Sequence, residues 1–256
     1  MSDEQTIQNG EAVEKEQIKR HTKLSIFMHW FNAACWLFLL ATGIGLIRNA
    51  ELQPVGGWWT DMMRGIFGGG ANLLLVHEIV GVLWALVFLI YTIAKIKEVI
   101  PFLKEMMTID LQRDVLWLVN KGIQMTLGYK ALYKLDSILK GRFGYKPVIP
   151  DQGFYNIGQK MFAIPSVLGG VVIVVTGVIM TVSNVMLENT APVQWAILIH
   201  FLTVGFVFAG LLIHVYMASI AAGERPAFIS MFTGKVPEDY AMHHHKLWYD
   251  EVREGR

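Results

Sequence analysis

The sequence predicts an all-α membrane protein, a four-transmembrane-helix bundle with extra amphipathic cytoplasmic helices. Three observations carry this. Hydrophobic residues make up 54% of the 256-residue chain and charged residues only 17%, which is far from an ordinary soluble domain. Four segments stay apolar for the roughly 20 residues that a helix rising about 1.5 Å per residue needs to cross the hydrocarbon. The Lys and Arg residues are shared very unevenly among the connections between those segments, as they are when basic loops stay on the cytoplasmic side.

Taken in order, residues 1 to 23 are polar and charged, and the first apolar run, 24–47, is too long for the h-region of a cleaved signal. It is expected to remain as the first span. The second span covers 71–94. A stretch of more than sixty residues follows in which only short apolar clusters such as Val115 to Val119 occur, closed by Lys146, Pro147 and Pro150. This insert, 97–155, reads as amphipathic helices on the membrane surface. The third and fourth spans are 161–187 and 193–222. With no internal repeat and no low-complexity linker, residues 1–256 read as one membrane domain. Of the 22 Lys and Arg residues, 20 fall in the N-terminus, the long connection and the tail, and 2 in the loop between the first two spans. Both termini and the insert are therefore expected on the cytoplasmic side.

The single cysteine, Cys35, excludes a disulfide within the chain, a covalent CxxCH attachment and an iron–sulfur cluster held by four cysteines of this chain. Any redox cofactor must sit on other ligands. The net charge of +1 says nothing about nucleic acid, no nucleic-acid partner is expected, and no glycine-rich phosphate loop, nucleophile elbow or zinc motif occurs.

Four of the eight histidines lie in the spans: His29, His77, His200 and His214. An ionisable residue in a span is costly and is a functional candidate by default, although a lone membrane histidine often only bonds across helices. Their depths decide between these readings. His29 lies near the cytoplasmic end of span one and His77 near the outer end of span two. Span four carries His200 early and His214 14 residues later, on about the same helix face and about 21 Å apart. Two levels thus receive two histidines each, His29 with His214 inside and His77 with His200 outside. An iron porphyrin takes one imidazole on each face, whereas structural zinc wants four ligands at one point. The expectation is two non-covalent b haems whose iron is bound by these four histidines. Small residues such as Gly43, Gly81, Gly169 and Gly177 agree with close approach of a flat group, though they are common at any membrane helix interface.

The segment Tyr155-Asn156-Ile157-Gly158-Gln159-Lys160 stands before span three at the depth of His29 and His214. It has two readings. One is an interfacial helix start with anchors and caps; the other is a quinone head-group site whose amides bond the quinone carbonyls. Glu78 is expected to face the outer interface as an acid at a helix N-terminus. His243, His244 and His245 read as a solvated basic tail touching lipid head groups.

The chain resembles the cytochrome b (gamma) subunit of respiratory formate dehydrogenases. The likeness covers the four spans. It rests on His29-Trp30, His77 with Gly81, the Tyr155-Asn156-x-Gly158-Gln159-Lys160-Met161 segment, Leu198-Ile199-His200 through Ile213-His214-Val215-Tyr216-Met217-Ala218, Gly234-Lys235-Val236, and His244-His245 with Trp248-Tyr249. The resemblance implies a multi-pass subunit of a bacterial or archaeal cytoplasmic membrane. It would take electrons from an iron–sulfur subunit at the outer haem and pass them to the inner haem. There it would reduce menaquinone or a related quinone at Asn156, Gly158 and Gln159, close to His214. The catalytic partner would be a molybdenum or tungsten formate dehydrogenase subunit, and this chain a non-catalytic part of a quinone-reducing complex. Cytochrome b subunits of hydrogenases and other molybdenum oxidoreductases share the plan. A proton or metal transporter is the competing class, but the histidines avoid the bilayer centre and no mid-span carboxylate accompanies them.

Overall fold

The structure is a computed structural model and describes residues 16–139, 142, 145–186, 191–221 and 223–255. It opens with a short strand, β1 (Gln17–Lys19), and then α1 (Lys23–Leu46), whose first turn is closed by Thr22 Oγ1 accepting from the Ser25 N–H at 3.1 Å. At the far end of α1 the backbone carbonyls that a helix C-terminus leaves unpaired are taken up by side chains. Gln53 Nε2 donates to the Ile44 carbonyl at 2.8 Å, and the Thr60 hydroxyl to that of Ile47 at 3.0 Å. This folds α2 (Gly57–Phe67) back over the end of α1. Gly68 and Gly69, at φ of 70° and 125°, turn the chain sharply into α3 (Gly70–Ala94), a conformation costly for residues with a Cβ.

Among the described residues the insert forms three helices: α4 (Ile96–Met107), α5 (Leu111–Leu127) and α6 (Tyr129–Leu139). Asp110 caps α5 by accepting from the Arg113 N–H, and buried Asp114 accepts from the Asp110 N–H and pairs with Arg113. Fully buried Asn120 donates to the Lys146 and Val148 carbonyls, both at 2.8 Å, and so pins the chain after α6 onto α5.

Helices α7 (Ile157–Met186) and α8 (Ala191–Ser219) complete the spans. Among the described residues four helices, α1, α3, α7 and α8, are long and apolar enough to cross a membrane, and only 6 to 11% of their most apolar windows is buried. Such exposed apolar faces suit a lipid surround, in which spans associate through close packing and not through the hydrophobic effect. They form two hairpins, α1 with α3 and α7 with α8. A Cβ on Gly169 would come within 2.6 Å of Val207 Cγ2, which shows how tightly the second hairpin is packed. Helix α7 begins four residues before the third span predicted from the apolar run. The predicted span ends at Leu187 and Ala222 lie outside the described residues, as do residues 1–15.

The tail is folded. Helix α9 (Arg225–Thr233), strand β2 (Lys235–Pro237), α10 (Glu238–His244) and α11 (Lys246–Glu254) follow α8, and β2 pairs antiparallel with β1, Ile18 opposite Val236. Ile18, Val236, Tyr240, Ala241 and Trp248 form its core. Because β1 precedes the first span and β2 follows the last, both ends of the described chain lie on one side of the bundle. Helices α4 and α5 reach the start of α7 on that side, where the Lys160 ammonium donates to the Thr108 carbonyl at 2.9 Å.

Candidate functional site

The four span histidines line the seam between the hairpins, and each is half-buried. The rings of His29 on α1 and His214 on α8 have centroids 6.4 Å apart, tilted at 57°. Among the described residues neither ring has a hydrogen-bond partner. Phe162 stacks on His214 at 4.4 Å and Trp30 meets His29 edge-on at 5.3 Å.

At the other level His77 on α3 and His200 on α8 lie within electrostatic reach of each other, and each is held by a threonine. Thr42 Oγ1 lies 2.8 Å from His77 Nδ1, and Thr176 Oγ1 lies 2.9 Å from His200 Nδ1. The tautomers follow from counting protons. The Thr42 hydroxyl already directs its one hydrogen to the Phe38 and Leu39 carbonyls at 2.9 and 3.2 Å, and that of Thr176 to Val172 and Ile173 at 2.7 and 3.1 Å. With that hydrogen on a carbonyl, each hydroxyl oxygen is placed to accept from the imidazole. This bonding assigns the proton to Nδ1 in both histidines and leaves the Nε2 lone pair for a metal.

These positions fit haem better than a bare metal ion. A metal bound by one nitrogen of each ring at about 2 Å would need the ring centres roughly 6 Å apart, and those of His29 and His214 are 6.4 Å apart. Among the described residues no cluster of three or more His, Cys, Asp or Glu side chains could hold a metal ion, and α8 has no extended backbone contact with α1 or α3. A flat group held between the hairpins is compatible with this lack of close backbone packing across the seam. Gly43, next to Thr42, would bring a Cβ within 3.3 Å of His77 Cε1, and Gly177, next to Thr176, within 3.8 Å of His200 Cε1.

The segment before α7 has the reciprocal geometry of a capping box. Asn156 Oδ1 accepts from the Gln159 N–H at 2.9 Å, and Gln159 Oε1 accepts from the Asn156 N–H at 3.1 Å. The helix-start reading is thus present in the structure. It uses only the amide oxygens, and both NH2 groups remain as donors. Gly158 is exposed between them. Glu105 on α4 accepts from the Tyr155 N–H at 3.1 Å, and burial pushes the Tyr155 phenol up to about 12.

Below this segment lies a buried polar cluster that the sequence alone does not reveal. Arg20 donates to the Phe154 carbonyl at 2.6 Å, and His245 Nδ1 to the neighbouring Gly153 carbonyl at 2.9 Å. Burial, then the Arg20 charge, lowers His245 to about 3. Burial alone would raise Glu224, but hydrogen bonds from His244 and Tyr240 and the nearby Lys121 charge hold it below the usual carboxylate range. The histidine tail is therefore not a solvated run. His245 is fully buried, His244 stacks on Tyr240 at 4.3 Å and faces Glu224, and only His243 is exposed. The reason is the β1–β2 pairing, which rolls α10 and α11 onto the start of the chain. Glu78 also differs from expectation. It lies in the third turn of α3 and accepts from the Thr181 hydroxyl of α7 at 3.2 Å, joining the two hairpins.

Thr42 and Thr176 were not among the sequence candidates. The signal that could have found them is the dipeptide Thr-Gly, once in α1 and once in α7.

Comparison with known proteins gives one family and several relatives. The family model described as prokaryotic cytochrome b561 matches residues 20–234. The formate dehydrogenase cytochrome b556 subunit of Haemophilus influenzae is 27% identical over 236 residues, covering 92% of this chain and 83% of that protein. The nitrate-inducible formate dehydrogenase cytochrome b556(Fdn) subunit of Escherichia coli is 26% identical, covering 89% and 88%. The cytochrome b556(fdo) subunit of the same organism is 24% identical, covering 93% and 95%.

Proposed function

The chain belongs to the prokaryotic cytochrome b561 family, and from that premise we propose that it is the membrane electron-transfer subunit of a formate dehydrogenase, carrying electrons through two b haems to a quinone. The observation that carries this is the pairing of imidazoles across the hairpin seam, His29 facing His214 at 6.4 Å. The names of the relatives, all formate dehydrogenase cytochrome b556 subunits, favour that enzyme over a hydrogenase.

His29 and His214 would hold one haem and His77 and His200 the other. Haem b supplies a reversible one-electron store between the ferric and ferrous states. Along α8, His200 and His214 stand about 21 Å apart, so the chain would hold the two groups at separate levels. It must also orient the outer imidazoles and keep water out of the seam with the apolar faces of the spans. The amide NH2 groups of Asn156 and Gln159, with exposed Gly158 between them and His214 nearby in depth, would take up the carbonyl oxygens of menaquinone or a related quinone. An iron–sulfur subunit would deliver electrons on the side of α2, from a molybdenum or tungsten catalytic subunit. With both termini cytoplasmic, as the charge asymmetry argues, the quinone end faces the cytoplasm and its reduction takes protons from there.

The test is haem per polypeptide in the purified chain by pyridine extraction, with redox difference spectra. Two haems, both reducible, are expected. A value near one, or none, would overturn the reading.

A further inference from the structure

The two histidine levels differ in one chemical respect. At the outer level both Nδ1–H groups donate to threonine oxygens, Thr42 at 2.8 Å and Thr176 at 2.9 Å, and the Ile173 carbonyl also faces the His200 ring. At the inner level His29 and His214 meet aromatic faces and edges, and among the described residues their rings have no acceptor. The two threonines are deeply buried, Thr42 at 0% and Thr176 at 5% exposure. Their hydroxyls are already satisfied by carbonyls of their own helices, so neither needs a histidine to avoid an unpaired hydrogen. The position of each beside an imidazole is therefore informative.

An imidazole that donates a hydrogen bond from Nδ1 is a more electron-rich ligand at Nε2. A more electron-rich ligand favours the ferric over the ferrous state. We propose that Thr42 and Thr176 are positioning residues that set the outer redox centre to a lower midpoint potential than the inner one, giving electron flow from the outer to the inner level a downhill direction. This rests on the reading of His77 and His200 as ligands of one haem. Per electron, the outer centre goes from ferrous to ferric as the inner goes from ferric to ferrous, and no proton or other reactant is required. The two Thr-Gly pairs act alike, one from each hairpin: the hydroxyl takes the Nδ1 proton, and the neighbouring glycine leaves the ring room at Cε1.

The experiment is an equilibrium redox titration of the haem-loaded chain, followed by visible absorption and low-temperature electron paramagnetic resonance, for Thr42→Val, Thr176→Val, the double variant, and Thr42→Ser with Thr176→Ser as controls. Valine keeps the shape and removes the oxygen; serine keeps the oxygen. Each valine variant is expected to raise the midpoint of one and the same haem. The shift should be about ten-fold in the electron equilibrium between haems, or about 59 mV for a one-electron couple. The double variant should shift that haem further, and the serine variants should stay near wild type. If a valine variant loses its haem, the other valine variant and the serine pair still decide. Unchanged potentials with both haems bound would overturn the proposal, as would equal shifts in both haems or serine variants that behave like valine. Should His77→Ala and His200→Ala remove different haems, the ligand assignment itself fails and the proposal falls with it.

Discussion

The imidazoles of His29 and His214 face each other at 6.4 Å, although the helices that carry them, α1 and α8, have no extended backbone contact. Two imidazoles placed this way could hold one haem between their helices, as proposed above. The first prediction follows. His29→Ala and His214→Ala should each remove the same haem, and His77→Ala and His200→Ala the other, read as loss of one set of bands in the reduced-minus-oxidised spectrum. If members of a pair abolish different bands, the pairing is wrong.

Asn156 has two separable functions, because its side-chain oxygen caps α7 while its NH2 group is left to donate. Asn156→Asp keeps the cap and deletes the donor, so it should fold normally, retain both haems and slow reoxidation of the reduced haems by a soluble menaquinone analogue. Asn156→Leu should do that and also lose about 1 kcal/mol of helix stability. Stopped-flow reoxidation and thermal unfolding distinguish the two. Wild-type reoxidation by Asn156→Asp would leave the segment as a cap alone.

His245 predicts a pH dependence. Its folded value, lowered to about 3 by burial and then by Arg20, lies below the ordinary value of about 6.5. The unfolded tail therefore binds a proton first as pH falls. The stability of the neutral form is fully present above about 6.5 and is lost progressively from there toward about 3. Amide hydrogen exchange in α10 and α11 should be faster at pH 5 than at pH 7 after correction for intrinsic rates, while the spans stay protected. Equal protection at both values would show that His245 does not hold the tail.

Gly169→Ala tests the close approach within the second hairpin. The added Cβ would stand 2.6 Å from Val207 Cγ2, so the helices must separate, at a cost of about 1 to 3 kcal/mol. A lower unfolding temperature in detergent is expected. A change within error of zero would mean that α7 and α8 can shift freely.

Much of the fold is legible in the sequence because it rests on local properties. Leu24 to Ile47 or Ala71 to Ala94 must be a helix in hydrocarbon, where every backbone group needs an internal partner, and no distant residue is needed to know it. What misled was composition read without partners. His243 to His245 looks like a solvated basic run, yet a three-residue strand more than 200 positions earlier pairs with β2 and buries His245. Glu78 looks like an end residue until Thr181 of another hairpin is seen beside it.

By itself the sequence determined the four spans and the depth of each span histidine, since a helix of constant rise converts position along the chain into height in the bilayer. Only the tertiary structure decided which nitrogen of His77 and of His200 carries the proton. Thr42 is 35 residues from His77 and Thr176 is 24 from His200, and a tautomer is set by the atom opposite it in space, which no periodicity of its own helix encodes.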